Sequence, residues 1–151
     1  MKIFVGADHR GFALKNEIVR RLRQDGYEVM DNGTHDASKS CDYPKVAVKV
    51  ARAVAETKNS RGILVCMTGI GHVITANKVP GAYAALCYNR KAAELSRQHN
   101  DSNILVLGAR FVKRKELMAI VKVWLKTKFE GGRHLRRVRQ MKRIERSYAK
   151  S

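Results

Sequence analysis

Short apolar runs alternate along the chain with longer stretches in which apolar residues recur at helical spacing. Ile63, Leu64 and Val65 are consecutive, as is typical of a strand that is buried on both faces. The apolar runs predict five strands, at 2–7, 28–30, 63–67, 82–87 and 104–107.

The stretches between these runs carry apolar residues every three or four positions, as Leu14, Ile18 and Leu22 do. Six helices are predicted, ending near 25–26, opening at 43–44, running from 71 to about 77, over 90–98, over 117–124 and at about 134–150. Strands that alternate with helices favour a parallel sheet with right-handed crossovers. The sequence therefore predicts one domain over 1–151, a Rossmann-like three-layer α/β/α sandwich with a five-stranded parallel sheet.

Composition narrows the class of protein. The 151 residues are 44% apolar, which is ordinary for a globular domain, and no run approaches the roughly 18 apolar residues that span a membrane. The N-terminus passes directly into a strand without the pattern of a signal peptide, so we expect a cytoplasmic protein. Cys41, Cys66 and Cys87 are odd in number and lack a CxxC spacing, which argues against a disulfide framework and a cysteine zinc site.

The formal net charge is +18, and after position 109 fifteen Lys and Arg stand against three Glu. Such a surface attracts phosphate-rich polymers at low salt. The aromatic residues nearby, Trp124, Phe129 and Tyr148, have spacings that suit helix packing rather than base stacking. We therefore expect nucleic acid to bind only non-specifically, if at all. The alternative is a solvated basic face that also draws in anionic substrates.

Residues 61–71 hold the most informative pattern, an apolar run that ends at Cys66 and leads into the Gly-x-Gly turn of Gly69 and Gly71. Glycines there let backbone N–H groups approach an anion closely, although the turn is too short for the usual nucleotide fingerprints. Cys66 alone is typical of a small buried hydrophobe. At a strand end, before a helix and beside Thr68, it is also typical of a thiol with a lowered pKa.

Other polar residues lie next to predicted strand ends, where an open α/β sheet collects a ligand site. Asp8 follows the first strand and His99 precedes the fifth. Each has a structural alternative, since Asp8 could cap a helix, Thr68 could close a turn and His99 could be a charge at a helix C-terminus. The segment 131–137 places cations near a helix N-terminus, which suits a phosphate, or it is a simple basic helix face.

Taken together, these stretches resemble the ribose-5-phosphate isomerase B family, which also contains the allose- and galactose-6-phosphate isomerases. The matching segments keep their order and cover nearly the whole chain. They are GADHRGFALK at 6–15, NGT at 32–34, DYP at 42–44, GILVCMTGIG at 62–71, ANKVPG at 76–81, SRQHNDSNILVLGAR at 96–110 and FEGGRHLRRV at 129–138.

The resemblance implies a role for individual residues. Cys66 matches the catalytic base, Thr68 the hydroxyl that supports its thiolate, and His99 the proton donor that opens the furanose ring, with Asp8 across that transfer. The backbone from Met67 to Gly71 would hold the developing enediolate. The remaining matches are the phosphate contacts and other substrate-binding positions, namely His9, Tyr43, Met67, Gly69, Ile70, Gly71, Asn100, Arg110, Arg133 and Arg137.

The resemblance also implies a reaction and an assembly. We expect a cofactor-independent aldose–ketose isomerase that interconverts ribose 5-phosphate and ribulose 5-phosphate in the pentose phosphate pathway. Neither metal nor cofactor is expected. Family members are commonly dimers with the site at the subunit interface, so a homodimer, or a tetramer, is expected. The nearest alternative is the same chemistry on a hexose phosphate such as allose 6-phosphate. An alternative of another class is a basic anion- or nucleic-acid-binding protein on the isomerase fold.

Two positions depart from the family pattern. Met67 stands where glycine is usual and adds bulk beside the backbone that approaches substrate. His72 stands where an apolar residue, or in one branch an acidic base, is usual. Three interpretations of His72 are open, namely a residue that faces solvent at the helix N-terminus, an electrostatic partner for Cys66 or the enediolate, and an auxiliary base.

Overall fold

The computed structural model describes residues 1–149, which form a parallel sheet of five strands between layers of helices. The strands are β1 (Lys2–Ala7), β2 (Glu28–Asp31), β3 (Ser60–Cys66), β4 (Ala84–Leu86) and β5 (Ile104–Gly108). The helices are α1 (Phe12–Gln24), α2 (Tyr43–Glu56), α3 (Ile70–Ala76), α4 (Arg90–Asn100), α5 (Leu117–Lys126) and α6 (Gly132–Ala149), and a 3₁₀ turn spans Arg114–Glu116.

The predicted fold class and the order of its elements are confirmed, and the boundaries shift by a few residues. β3 begins at Ser60, earlier than predicted, because Arg61 and Gly62 pair with the neighbouring strands although they are not large and apolar. β4 is shorter than predicted because it is an edge strand that pairs only with β5. The predicted end of the last helix at 150 lies outside the described residues.

Alternate residues of the central strands enter two hydrophobic cores. The core of the first face joins the strands to α1, α4 and α5, with Trp124 fully buried in it. The core of the second face joins Leu64 and Val106 to α2 and α3. Ile63, Leu64 and Val65 are all fully buried, as predicted for a strand covered on both faces. Within residues 1–149, no helix has the length and apolar character that crossing a membrane requires.

The strand order is β2-β1-β3-β5-β4, so the chain reverses its direction of travel across the sheet between β1 and β3. The crevice at such a reversal, beyond the carboxyl ends of the strands, is where open α/β sheets bind ligands. The register pairs Ala7 with Val65, which places Asp8 and Cys66 side by side at this crevice.

A buried cation fixes the loop that follows β2. The Lys15 side chain is 1% exposed, and its Nζ donates to both carboxylate oxygens of Asp31, at 2.9 and 2.8 Å, and to the Thr34 carbonyl at 2.8 Å. The Thr34 N–H donates in turn to the Ala7 carbonyl at 2.6 Å. Lys15 thereby holds the loop against the end of β1, one residue before Asp8.

Removing the carboxylate of this pair should cost more stability than removing the ammonium. Asp31→Asn leaves the Lys15 charge buried without a counter-charge, and we expect it to lower the free energy of unfolding by about 3 kcal/mol. Lys15→Met should cost less, because Asp31 is 20% exposed and can reach water. Urea unfolding at pH 7 and a fixed protein concentration measures both variants.

The control is Lys2→Met, which breaks the exposed 3.2 Å pair with Glu28 and should cost less than about 1 kcal/mol. Burial would raise the pKa of Asp31, but hydrogen bonds from Lys15 and the Gly33 N–H outweigh it and lower that pKa below 3.8. The stabilisation is therefore present above pH 3.8 and is lost as the pH falls through the lowered pKa. A cost of Asp31→Asn that stays constant on acidification would contradict this account.

Candidate active site

Asp8 is fixed at the carboxyl edge of the sheet by the start of α1. It is 7% exposed, and its Oδ1 accepts the backbone N–H groups of Arg10 and Gly11, both at 3.0 Å. Asp8 thus caps the turn into α1, as the structural alternative held, and it also lies beside Cys66 at the crevice. The position of Asp8 is therefore compatible both with a capping role and with a role in proton transfer at the site.

Cys66 ends β3 with its thiol turned toward the following turn. It is 6% exposed, and the Gly69 N–H donates to its Sγ at 3.0 Å. Gly69 has a φ of 85°, and a Cβ at this position would collide with Leu86, so the turn requires glycine here.

The expected lowering of the Cys66 pKa is wrong. Burial raises the pKa of the thiol above 9.0, and the charge of Asp8 adds to the rise. Backbone N–H groups of Gly69, His72 and Thr68 act in the lowering direction but do not outweigh burial. The free chain therefore holds a thiol near neutral pH, with donors already arranged around its sulfur.

Thr68 contributes to the site through its backbone. Its hydroxyl accepts the Ile70 N–H at 3.2 Å, as the turn-closing alternative held, rather than reaching the sulfur of Cys66. Its carbonyl accepts the hydroxyl of Tyr88 at 3.2 Å. The support that Thr68 gives to a thiolate comes from its N–H.

Tyr43 and α3 close one side of the crevice. A Cβ at Gly71 would come within 2.5 Å of the Tyr43 ring, so only glycine lets this ring lie so close. His72 lies beneath, with its ring centroid 6.1 Å from that of Tyr43 and no exposed surface. The interpretation of His72 as a residue that faces solvent is therefore wrong. Burial lowers the pKa of His72 to about 4, so its ring is neutral at pH 7.

The other residues predicted at this edge frame the crevice. His9 is half-buried, and its Nδ1 accepts the Cys41 N–H at 3.2 Å. The Met67 carbonyl accepts the N–H of Arg110 at 3.0 Å, and the Arg110 side chain is exposed. The carboxyl edge therefore holds an acid, a thiol, backbone donors and a cation. This set can exchange a proton with a bound molecule and neutralise negative charge on it.

The remaining predicted residues form a second group, around the end of α4. The rings of His99 and His134 are stacked, with centroids 4.2 Å apart and planes 9° from parallel. Glu130 lies 3.3 Å from Nε2 of His134. Asn100 ends α4, and Arg133 and Arg137 are exposed on the first turns of α6.

The structure does not bring this second group to Cys66. His99 and Asn100 precede β5, so they lie at the amino edge of the sheet, whereas Cys66 lies at the carboxyl edge. The register from Gly62 to Cys66 separates the two edges by about 13 Å. The expectation that all strand-adjacent polar residues share one edge is wrong for His99 and Asn100 within one chain.

Glu130 and His134 lie in this second group but were not among the predicted site residues. Their spacing of four residues across the start of α6 was the available signal, since it allows an acid and an imidazole to meet. The hydrogen bond from the Cys41 N–H to His9 was not predicted either, because the two residues are 32 positions apart and no local pattern indicates such a contact.

Among residues 1–149, His99, Glu130 and His134 are the one cluster with metal-ligating spacing, with ligand atoms within 4.8 Å of one another. Imidazole nitrogens ligate along the ring plane, and two nearly parallel stacked rings do not direct their lone pairs toward one ion. Burial, His99 and Arg133 lower the pKa of His134, and the cations nearby oppose a further positive charge. The stacked rings and the neighbouring cations therefore disfavour a metal ion at this cluster.

The raised pKa predicts slow alkylation of Cys66. Because the thiolate is the nucleophile, iodoacetamide should modify Cys66 at pH 7 more slowly than it modifies free cysteine, with a rate that climbs above pH 9. Mass spectrometry of the peptide that carries Cys66 follows this thiol apart from Cys41 and Cys87. Modification at pH 7 that outpaces free cysteine would contradict the raised pKa.

Comparison with known proteins shows which protein family this chain resembles in sequence. The family model described as Ribose/Galactose Isomerase matches residues 3–141. Ribose-5-phosphate isomerase B of Escherichia coli is 47% identical over 144 residues, covering 95% of this chain and 96% of that protein.

Solved structures agree with the family match. Ribose-5-phosphate isomerase B of Clostridium thermocellum has a TM-score of 0.93 at 51% identity, covering 98% of this chain and 99% of that one. The Mycoplasma genitalium enzyme with bound ribulose-5-phosphate has a TM-score of 0.93 at 42% identity, covering 96% of each chain. A match in sequence and in fold over nearly the whole chain, around a crevice that holds the expected thiol, means that the chain belongs to the ribose/galactose isomerase family.

Proposed function

We propose that this chain is a cofactor-independent isomerase that interconverts ribose 5-phosphate and ribulose 5-phosphate through a cis-enediolate. The observation that carries the proposal is the buried thiol of Cys66, set beside Asp8 with the Gly69 N–H on its sulfur at 3.0 Å. The names of the matched relatives support the pentose phosphate over a hexose phosphate. They equally support an isomerase over a binding protein.

The proposed chemistry follows from this arrangement. The ionised fraction of Cys66, which is small at neutral pH because burial raises its pKa, removes the proton from C2 of the open-chain aldose. This leaves an enediolate with its charge on the C1 oxygen and a hydroxyl still on C2. Backbone N–H groups of the turn from Met67 to Gly71 face the developing negative charge, and such donors contribute about 3 kcal/mol each in a preorganised site. The proton then returns from the thiol to C1, and the hydroxyl proton on C2 passes to the oxygen on C1, which gives the ketose. One base serves both transfers, and no net proton is consumed.

The phosphate and the furanose ring need groups that lie at the other edge of the sheet. We therefore propose a homodimer in which the group around His99 in one subunit lies against the Cys66 crevice of the other. Arg133 and Arg137 would then hold the phosphate together with His9, and His99 would open the ring by proton transfer, with Asp8 across from it. A bidentate cation suits a phosphate in this role.

Exposed apolar residues support an interface at both edges. Ile70 and Ile74 on α3 are 50% and 56% exposed, close to the Cys66 turn. Met141 and Ile144 on α6 are exposed as well, on the helix that begins beside His99. Apolar side chains grouped in this way are typical of a surface that a partner covers. The three cysteines are free, which fits the reducing cytoplasm that we propose as the site of the reaction.

Replacing the thiol tests the reaction. Cys66→Ala should lower kcat for ribose 5-phosphate by at least about 1,000-fold, because proton transfer at C2 and C1 loses its only base. The melting temperature should stay near that of the parent protein, since alanine fits the space of the thiol. Steady-state assays with ribose 5-phosphate and allose 6-phosphate side by side measure the loss and the substrate preference. A variant that keeps most of its pentose activity would exclude Cys66 as the base.

Mixing two inactive variants tests the shared site. Cys66→Ala and His99→Asn should each be inactive as pure proteins. After joint unfolding and refolding at equal amounts, hybrid dimers should restore about a quarter of the parent activity, because half of the dimers are hybrids and each has one intact site. Size-exclusion chromatography with light scattering checks the dimer. No recovery in a mixture that forms dimers would show that Cys66 and His99 act from the same chain.

A further inference from the structure

Near the crevice, both ring nitrogens of the buried His72 side chain, Nδ1 and Nε2, lack a hydrogen-bond partner among the described residues. The side chain has no exposed surface. A buried polar atom that lacks a partner destabilises the folded chain, because it has lost its hydrogen bonds to water. Because both ring nitrogens of His72 are in this state, we expect a ligand in the crevice to supply the missing hydrogen-bond partner.

His72 lies next to the acid and the thiol of the site. His72 lies on the first turn of α3, and its own N–H is among the donors that act on the Cys66 sulfur. The charge of Asp8 acts on the ring, and the backbone of Tyr43 lies close to it without completing a hydrogen bond. His72 therefore lies between the thiol, which its backbone N–H reaches, and Tyr43, and the charge of Asp8 acts on its ring.

We infer that the imidazole of His72 donates a hydrogen bond to an oxygen of the enediolate, as a side-chain member of the oxyanion site formed by the turn from Met67 to Gly71. This inference rests on the proposed function. It adds one donor to the backbone N–H groups and gives a purpose to a polar ring that the fold leaves without a partner.

A neutral ring suits this task. With its pKa lowered to about 4 by burial, His72 is uncharged at pH 7, so it keeps one N–H to donate and does not trap the enediolate as a protonated enediol. Neutral imidazole serves as the hydrogen-bond donor in another aldose–ketose isomerase, triosephosphate isomerase, whose histidine has a lowered pKa for a different reason. The titratable groups next to the His72 ring are Asp8 and Tyr43, and the thiol of Cys66 lies against the His72 backbone N–H.

Access to the ring depends on Tyr43. This side chain is 43% exposed and lies over both Gly71 and the His72 ring, at an interplanar angle of 68°. A ligand in the crevice has to displace the Tyr43 ring to meet His72. The cover keeps water from the imidazole in the free chain, which accounts for nitrogens that are both buried and unpaired.

The test compares two substitutions of similar shape that differ in hydrogen-bonding capacity. His72→Gln keeps an N–H donor on an unbranched side chain, and His72→Met removes it. We expect kcat of His72→Met to fall about 100-fold with little change in KM, while His72→Gln stays within about tenfold of the parent protein. A hydroxamate analogue of the enediolate should lose affinity in the same order, as measured by calorimetry.

Stability and pH profiles separate this role from others. Because His72→Met removes two unpaired polar atoms, its melting temperature should equal or exceed that of the parent protein. The pH profile of His72→Gln should keep its shape between pH 6 and about 9, since a neutral donor does not titrate there. The control is His35→Leu, at a histidine whose side chain is 70% exposed, and it should leave kcat unchanged.

Three results would overturn the inference. Equal kcat in His72→Met and the parent protein would exclude a donor role, and a His72→Gln variant as inactive as His72→Met would point to proton transfer or ring shape instead. If His72→Met does not fold, His72→Leu takes its place as the variant without a donor. A parent protein without isomerase activity would refute the proposed function and this inference together, whereas an active parent confines any failure to His72.

Discussion

The reversal of strand order between β1 and β3 is the constraint on which the rest of the site depends. All five strands run parallel, so their carboxyl ends share one edge, and the reversal leaves a crevice there that no crossover helix fills. The register then decides what stands in it, because pairing Ala7 with Val65 brings Asp8 beside Cys66. The Gly69 N–H then reaches the sulfur of Cys66, and Tyr43 covers the neighbouring Gly71 and His72.

Opposed forces act on Cys66 at this position. The crevice excludes water, which raises the pKa of the thiol, while the turn supplies N–H donors that lower it. Burial prevails in the free chain. The same N–H groups and the same exclusion of water would favour an enediolate, whose charge is spread over two oxygens that can each meet a donor. The site is therefore built more for the charge that develops on a ligand than for a resting thiolate.

The alternation of apolar runs and helical stretches was enough to predict the sheet, its five strands and its six helices, because buried parallel strands and amphipathic helices leave different periodicities. The residues that follow β1 and β3 were placed correctly for the same reason. His99 was misplaced because closeness to a strand was taken as enough, although a residue that precedes a parallel strand lies at the opposite edge of the sheet from one that follows it, and His99 precedes β5. The pKa of Cys66 was also beyond reach, since its sign depends on how deeply the thiol is buried.

The burial of His72 could not be predicted because it lies on a short helix. Only seven residues form α3, and its buried positions, His72 and Ala76, are four apart, which is the helical spacing of one inward face. That spacing would have indicated burial had the face of α3 been known, but the neighbouring glycines gave no apolar period from which to fix it.

Because the strands are parallel, the basic last helix, α6, lies at the amino edge of the sheet, opposite the Cys66 crevice. α6 begins beside His99 and is held at the amino edge farther along, where Glu145 accepts the N–H of Gly81 and the hydroxyl of Tyr83 at 3.0 and 2.9 Å. Of its eighteen residues only His134 and Val138 are buried, so its cations face outward.

In the proposed dimer, this edge meets the crevice of the partner subunit, and two of the cations, Arg133 and Arg137, would hold the phosphate. The rest would surround the entrance with a positive potential, which raises the local concentration of an anionic sugar phosphate and speeds its encounter with the site at low ionic strength. In the proposed dimer, this positive potential would lie on the element that the opposite subunit needs.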